Sequence, residues 1–172
     1  MKKGFTLVEL IGIFTLMAII LIIAAPSVTN MLKKAKENEY YSFEENIFLA
    51  TEAYISSNKN NYLELRETDK LTYVRINNLL MSNYLDSNII NPVTKKKISE
   101  EANQVVIIYM NNKKLYVYEL IKNVKDEETA AINAYEALTK DATNEEVEAV
   151  KTLVAALEDG SIKTALQNKS GE

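Results

Sequence analysis

The residues able to do chemistry are few, and one of them is oddly placed. Glu9 carries an ionisable carboxylate inside Phe5 to Ala25, a stretch otherwise apolar apart from Thr6, Gly12 and Thr15. A charge buried in hydrocarbon costs up to ~2.5–3.5 kcal/mol on insertion scales, so such residues are usually functional. Elsewhere the inventory is thin. The chain has no cysteine and no histidine, which removes disulfides, thiolate nucleophiles, imidazole bases and most transition-metal ligand sets. Its glycines fall at 4, 12, 160 and 171, too scattered for a phosphate cradle. Carboxylates cluster at Glu100-Glu101, Asp126-Glu127-Glu128 and Glu145-Glu146-Glu148. They lack the spacing of a calcium loop and read as helix starts favoured by the dipole. No metal or other cofactor is expected, and no motif supports an enzyme.

Two other groupings bear on binding. Lys95-Lys96-Lys97 with Lys113 and Lys114 could form a basic patch for DNA, but a solvated turn is the stronger expectation. The ten tyrosines could stack on bases, yet their helical and strand spacing favours core and subunit contacts. Nucleic acid is therefore the weaker candidate partner.

The elements that position Glu9 come next. Met1-Lys2-Lys3-Gly4 is a short basic start, and the 21 residues from Phe5 to Ala25 span roughly 30 Å as a helix, the thickness of a bilayer core. Pro26 follows, where a lost donor and a steric clash predict a bend. Beyond it Leu32, Ala35, Tyr40, Phe43, Ile47, Ala50 and Tyr54 form one apolar stripe among charged residues, an amphipathic continuation. Phe5 to Ser57 reads as a single helix of about 80 Å, ended by the polar run 56–61. A short helix is expected over Arg75 to Leu85, a turn at Asn91-Pro92, and a β-hairpin from Gln104–Met110 and Lys114–Ile121 joined by Asn111-Asn112-Lys113. A lone hairpin is marginal, so it should pack on the apolar stripe.

Charge divides the chain. Residues 1–125 hold 16 Lys and Arg against 13 Asp and Glu, whereas residues 126–172 hold 4 against 11, within a net −4. The acidic segment is helical in pattern. Thr143 with Glu146 forms a capping-box spacing, Val147, Val150, Val154 and Leu157 form a stripe, and Gly160 is a terminator. A third short helix is expected over Ser161 to Gln167. The fold class is thus α+β: a long N-terminal helix, half transmembrane and half amphipathic, packed on a small head with an antiparallel hairpin, followed by an acidic helical C-terminal appendage. The expected division is 1–4 leader, 5–29 transmembrane helix, 30–125 head, 126–172 appendage.

A cleaved secretory signal explains the N-terminus poorly, because Glu9 interrupts the apolar part and Ala24-Ala25-Pro26 is a poor cleavage site. A plain anchor leaves Glu9 unexplained. Gly4-Phe5-Thr6-Leu7-Val8-Glu9-Leu10, with its basic leader, apolar stretch and Pro26, resembles the N-terminal motif of type IV prepilins and the pseudopilins of type II secretion and competence systems. The resemblance covers roughly residues 1–121; Ala18, where many major pilins have glycine, and the lack of a cysteine-closed loop depart from it. It implies cleavage after Gly4 by a prepilin peptidase/methyltransferase, N-methylation of Phe5, and pairing of Glu9 with a neighbour's terminal amine during assembly. It further implies other pilin or pseudopilin subunits and an assembly platform as partners. The leader would lie in the cytoplasm and the head outside the cytoplasmic membrane, then in a surface or periplasmic filament. Physics agrees with the pairing, since a charge pair in lipid costs far less than a lone charge. The alternative is a membrane-tethered binding module that never polymerises and recruits a partner through its C-terminal helices.

Overall fold

A computed structural model describes residues 6–139 and 141–170. The fold is α+β, with a very long N-terminal helix, a three-stranded antiparallel sheet and helices at the C-terminal end. Helix α1 runs Leu7–Ser57, with Pro26 inside it. Helicity is unbroken there although proline removes the donor for the Ile22 carbonyl; the Thr29 hydroxyl donates to the Ala25 and Pro26 carbonyls. The chain divides into two compact units, Met1–Ser42 and Phe43–Glu172.

In the second unit the sheet comprises β1 (Leu71–Arg75), β2 (Val105–Met110) and β3 (Tyr116–Ile121), in that spatial order. The expected hairpin is present as β2 and β3, but its turn runs through Leu115, with Lys114 in the left-handed region, so β3 begins at Tyr116 and not at Lys114. Strand β1 corrects the sequence reading, which began a helix at Arg75. Arg75 instead closes the strand opposite Val105, and the helix that follows, α2 (Ile76–Met81), is shorter than expected. Tyr73 pairs with Ile107 and Val74 with Val106, so period-two alternation sends Tyr73, Val105 and Ile107 to one face and Thr72, Val74, Val106 and Ile108 to the other.

The part of α1 that belongs to this unit, residues 43–57, covers the second of these faces. Phe43, Ile47, Ala50, Thr51 and Ile55 are buried, and the Phe48 ring stacks on Tyr118 at 5.5 Å. Burial thus follows the expected stripe only from Phe43 onward. Leu32 and Ala35, placed in the same stripe, are exposed.

The other face is covered by α3 (Asp126–Ala137), α4 (Asn144–Ala156) and α5 (Ser161–Ser170). Ala131, Ile132, Val150, Val154, Leu157, Ile162, Ala165 and Leu166 pack with Tyr73, Val105 and Ile107 in one core. The charge step at residue 126 is therefore not a break in packing. The acidic residues lie on the solvent side and the apolar stripe is consumed by the sheet. Helix α4 starts as its sequence predicts: Thr143 Oγ1 accepts from the Glu146 amide at 3.3 Å, and Glu146 Oε2 accepts from the Thr143 amide at 2.8 Å.

Polar ties fix α3 and α5 to the sheet. Arg75 donates to Asn133 Oδ1 at 2.6 Å and to Glu136 Oε2 at 3.0 Å, and Asn78 donates to Glu136. The Arg75 side chain is only 13 % exposed, so the pair is partly desolvated and stronger than a surface ion pair. Arg75→Ala is expected to destabilise the protein by about 1–3 kcal/mol, because Asn133 and Glu136 lose the charged donor that ties α3 to the sheet. Chemical denaturation of the full chain in detergent micelles, with α3 followed by amide exchange, checks this.

Two buried tyrosines give the fold a pH limit. Burial, above all, raises the ionisation of Tyr62 and Tyr73 far above the ordinary phenol value. A phenol whose folded pKa is raised contributes stability that is full below the unfolded value near 10 and is lost as pH rises past it. Lys169 lies over both rings, 4.5 Å from the Tyr62 centroid and 5.5 Å from Tyr73. Burial lowers its pKa, which has the opposite sign: its destabilising effect fades as pH rises toward the unfolded value near 10.4 and cannot offset the phenols above that. Melting temperature should fall steeply above about pH 10.5, with roughly 1.4 kcal/mol lost per pH unit per phenol. Thermal melts of wild type and Tyr73→Phe across pH 9–12 check it; the variant should show the shallower fall.

Candidate functional site

The site is the first unit, because it is where the sequence places an ionisable group in an apolar helix. From Thr6 to Glu39 every residue is exposed except the half-buried Ala24. Leu7, Val8, Ile22 and Ile23 are each more than 70 % exposed, a continuous apolar surface with no partner among the described residues. Apolar surface of that extent marks a membrane or protein contact rather than a water-facing helix. By length and composition this helix is a candidate single membrane span.

The polar groups inside the span are held by the helix itself. Thr15 Oγ1 donates to the Ile11 carbonyl at 2.8 Å, a back-bond that hides a hydroxyl in an apolar setting. Gly12 has open space where a side chain would be, so nothing in the chain itself demands its smallness.

Glu9 sits in a specific arrangement. Its Oε2 accepts from the Thr6 amide and from the Thr6 hydroxyl, both at 2.8 Å, while the Glu9 amide donates to Thr6 Oγ1 at 3.3 Å. This is a capping box: Thr6 is the residue that caps the helix and Glu9 the third residue in. The same Thr-x-x-Glu spacing recurs at Thr143–Glu146. One carboxylate oxygen closes the helix end. No described residue donates to Oε1, and no described cation lies within salt-bridge distance of the group. The cap therefore satisfies part of the carboxylate's hydrogen-bonding capacity, and no cation among the described residues pairs with its charge. The Thr6 amide is the bond between Phe5 and Thr6, so cleavage after Gly4 would leave the cap intact.

The proposed cleavage and methylation residues, Gly4 and Phe5, lie outside the described residues. Pro26 is on the same helix, 17 residues after Glu9. The lysine runs lie in two separate turns of the second unit. Lys95 and Lys114 take left-handed backbone conformations, and Lys97 Nζ donates to Asn88. Among the carboxylates, Glu128 Oε2 accepts from the Lys125 amide at the start of α3, a helix-start role. No group of three or more metal-ligating side chains occurs among the described residues.

No family model matches the chain, and no curated protein or solved structure matches it either.

Proposed function

We propose that this chain is a structural subunit of a type IV pilus, type II secretion or DNA-uptake filament. It is inserted in the cytoplasmic membrane by its apolar helix, cut after Gly4, and polymerised through that helix. In the polymer Glu9 pairs with the terminal ammonium of Phe5 on an adjacent subunit. The observation that carries the reading is Glu9: a carboxylate in an exposed apolar helix whose charge has no partner among the described residues. A lone charge in lipid is costly and a paired one much less so. An ammonium created at Phe5 lies four residues from Glu9 in sequence. Offset by one subunit, the same pair sets an axial register.

The tethered-module alternative draws less support. Its recruiting surface would be the stripe of the C-terminal helices, and Val150, Val154 and Leu157 of that stripe are buried against the chain's own sheet.

Processing is the direct test. Co-expression with a prepilin peptidase should shorten the chain by four residues, leaving Phe5 first and N-methylated, as read by intact mass. Gly4→Leu should block the cut, because the peptidase must reach a bond at the membrane face past a small residue. Retention of residues 1–4 in the mature membrane protein overturns the reading.

A further inference from the structure

The two edges of the sheet differ. Strand β1 is overlaid by α5, whose Asn168 donates to the Leu71 carbonyl at 2.9 Å. Strand β3 is the other edge. The hairpin turn fixes which of its backbone groups face outward. Asn111 donates to the Leu115 carbonyl at 2.9 Å, Lys114 donates to the Asn111 carbonyl at 2.8 Å, and Lys114 has φ 59°. Positions 111 and 115 thus form a hydrogen-bonded pair. Antiparallel ladders alternate bonded and non-bonded pairs, so from the register Tyr109–Val117 and Ile107–Glu119 residues 117, 119 and 121 bond to β2. Tyr116, Tyr118 and Leu120 turn their N–H and C=O groups to the open side. Among the described residues no backbone hydrogen bond outside the sheet reaches them.

Beside that edge lies a cavity of about 190 Å³. Tyr62, Tyr116 and Tyr118 wall it, and Lys59, Arg66 and Glu52, all exposed, also line it. Neither Lys59 nor Arg66 has an ion pair among the described residues. Two cations against one carboxylate leave the cavity with a positive excess.

We infer that β3 and this cavity form a strand-addition site for an extended peptide segment of a partner protein carrying a carboxylate side chain. The edge supplies main-chain hydrogen bonds. The cavity receives the alternate side chains, which fall on the same face as Tyr116 and Tyr118. Lys59 and Arg66 select acidic over basic residues by charge. Two of the devices that usually blunt such an edge, proline and lysine, are absent from β3, which reads Tyr-Val-Tyr-Glu-Leu-Ile; its one charge, Glu119, alternates to the face opposite Tyr116 and Tyr118. The inference stands independently of the filament reading.

The test uses the full chain in detergent micelles and a short fluorescein-labelled peptide of alternating valine and glutamate. Its counterparts carry lysine for glutamate, or N-methyl groups on alternate amides. The acidic peptide should bind saturably, about tenfold or more tighter than either counterpart, and should slow amide exchange at Tyr116, Tyr118 and Leu120. Lys59→Glu combined with Arg66→Glu, both exposed and harmless to the core, should abolish the acidic preference while leaving the thermal melt unchanged. Equal binding by the three peptides, binding without slowed exchange at those amides, or no binding up to about 1 mM would each overturn the inference. So would amides that are already protected without peptide and become exposed on dilution, which would mean that a second copy of the chain occupies the edge.

Discussion

Removing residues 126–172 should leave a head that does not fold. The truncation uncovers Tyr73, Val105 and Ile107, now at most 3 % exposed. Each large apolar side chain returned to water loses about 1.5–3 kcal/mol, and a whole domain is stable by only ~5–15 kcal/mol. The cut also strips Arg75 of its carboxylate and leaves β1 without α5 along its edge. A milder version separates folding from mere solubility. Leu166→Ala deletes a fully buried side chain on α5 and should cost about 2–5 kcal/mol, on the order of 4–20 °C in melting temperature. Thermal melts of the full-length variants in detergent micelles, with protease resistance of the truncated chain, give the readout. A truncated chain that melts cooperatively near the wild-type temperature would make residues 126–172 an appendage after all, whatever their packing in the intact chain.

That prediction rests on what the sequence could not show. The three C-terminal helices were legible locally: Thr143 and Glu146 announced α4, and the Val150–Val154–Leu157 stripe its apolar side. Gly160 does not end it: α4 stops at Ala156 with Leu157 as its cap, and the Gly160 carbonyl accepts from the Thr164 amide at the start of α5. Where the stripe docks depends on contacts with Tyr73 and Ile107, tens of residues away, and no local pattern encodes them. Strand β1 was lost for the same reason. Leu71–Arg75 is five residues long and runs straight into α2 with no glycine, proline or asparagine between them. Its state is decided by pairing with β2, not by its own propensity. The hairpin was legible because its turn chemistry is local. In the first unit the anomaly of Glu9 was legible from burial cost alone. Its hydrogen-bonding role is encoded locally too, in the Thr6-x-x-Glu9 spacing of a capping box.

The second large effect concerns that same residue. Glu9→Ala should leave insertion and peptidase cleavage intact or improved, because it takes a costly group out of the apolar span. Incorporation into filaments should fall sharply, since an incoming terminal ammonium then meets no carboxylate. A plain anchor gives the opposite pattern, with no assembly to lose and tighter membrane retention. The capping box adds a complication that alanine alone cannot resolve. Glu9→Ala also removes the acceptor for the Thr6 amide and hydroxyl, and losing a cap costs about 0.5–2 kcal/mol at the helix end. Thr6→Ala makes the matching control: it removes the capping hydroxyl while keeping the carboxylate and its charge.

Glutamine separates the two roles of Glu9. Its amide oxygen can still accept from Thr6, because the capping box works with Gln as with Glu, but it carries no charge to offer an ammonium. The decisive measurement is therefore the yield of sheared filaments and of subunit crosslinks for wild type, Glu9→Gln and Thr6→Ala at equal membrane levels, in cells carrying a prepilin peptidase and an assembly platform. Charge pairing predicts that Glu9→Gln falls by at least about tenfold, the ratio given by ~1.4 kcal/mol of lost interaction, while Thr6→Ala stays near wild type. Glu9→Gln at wild-type yield would contradict it and leave the carboxylate as a helix cap.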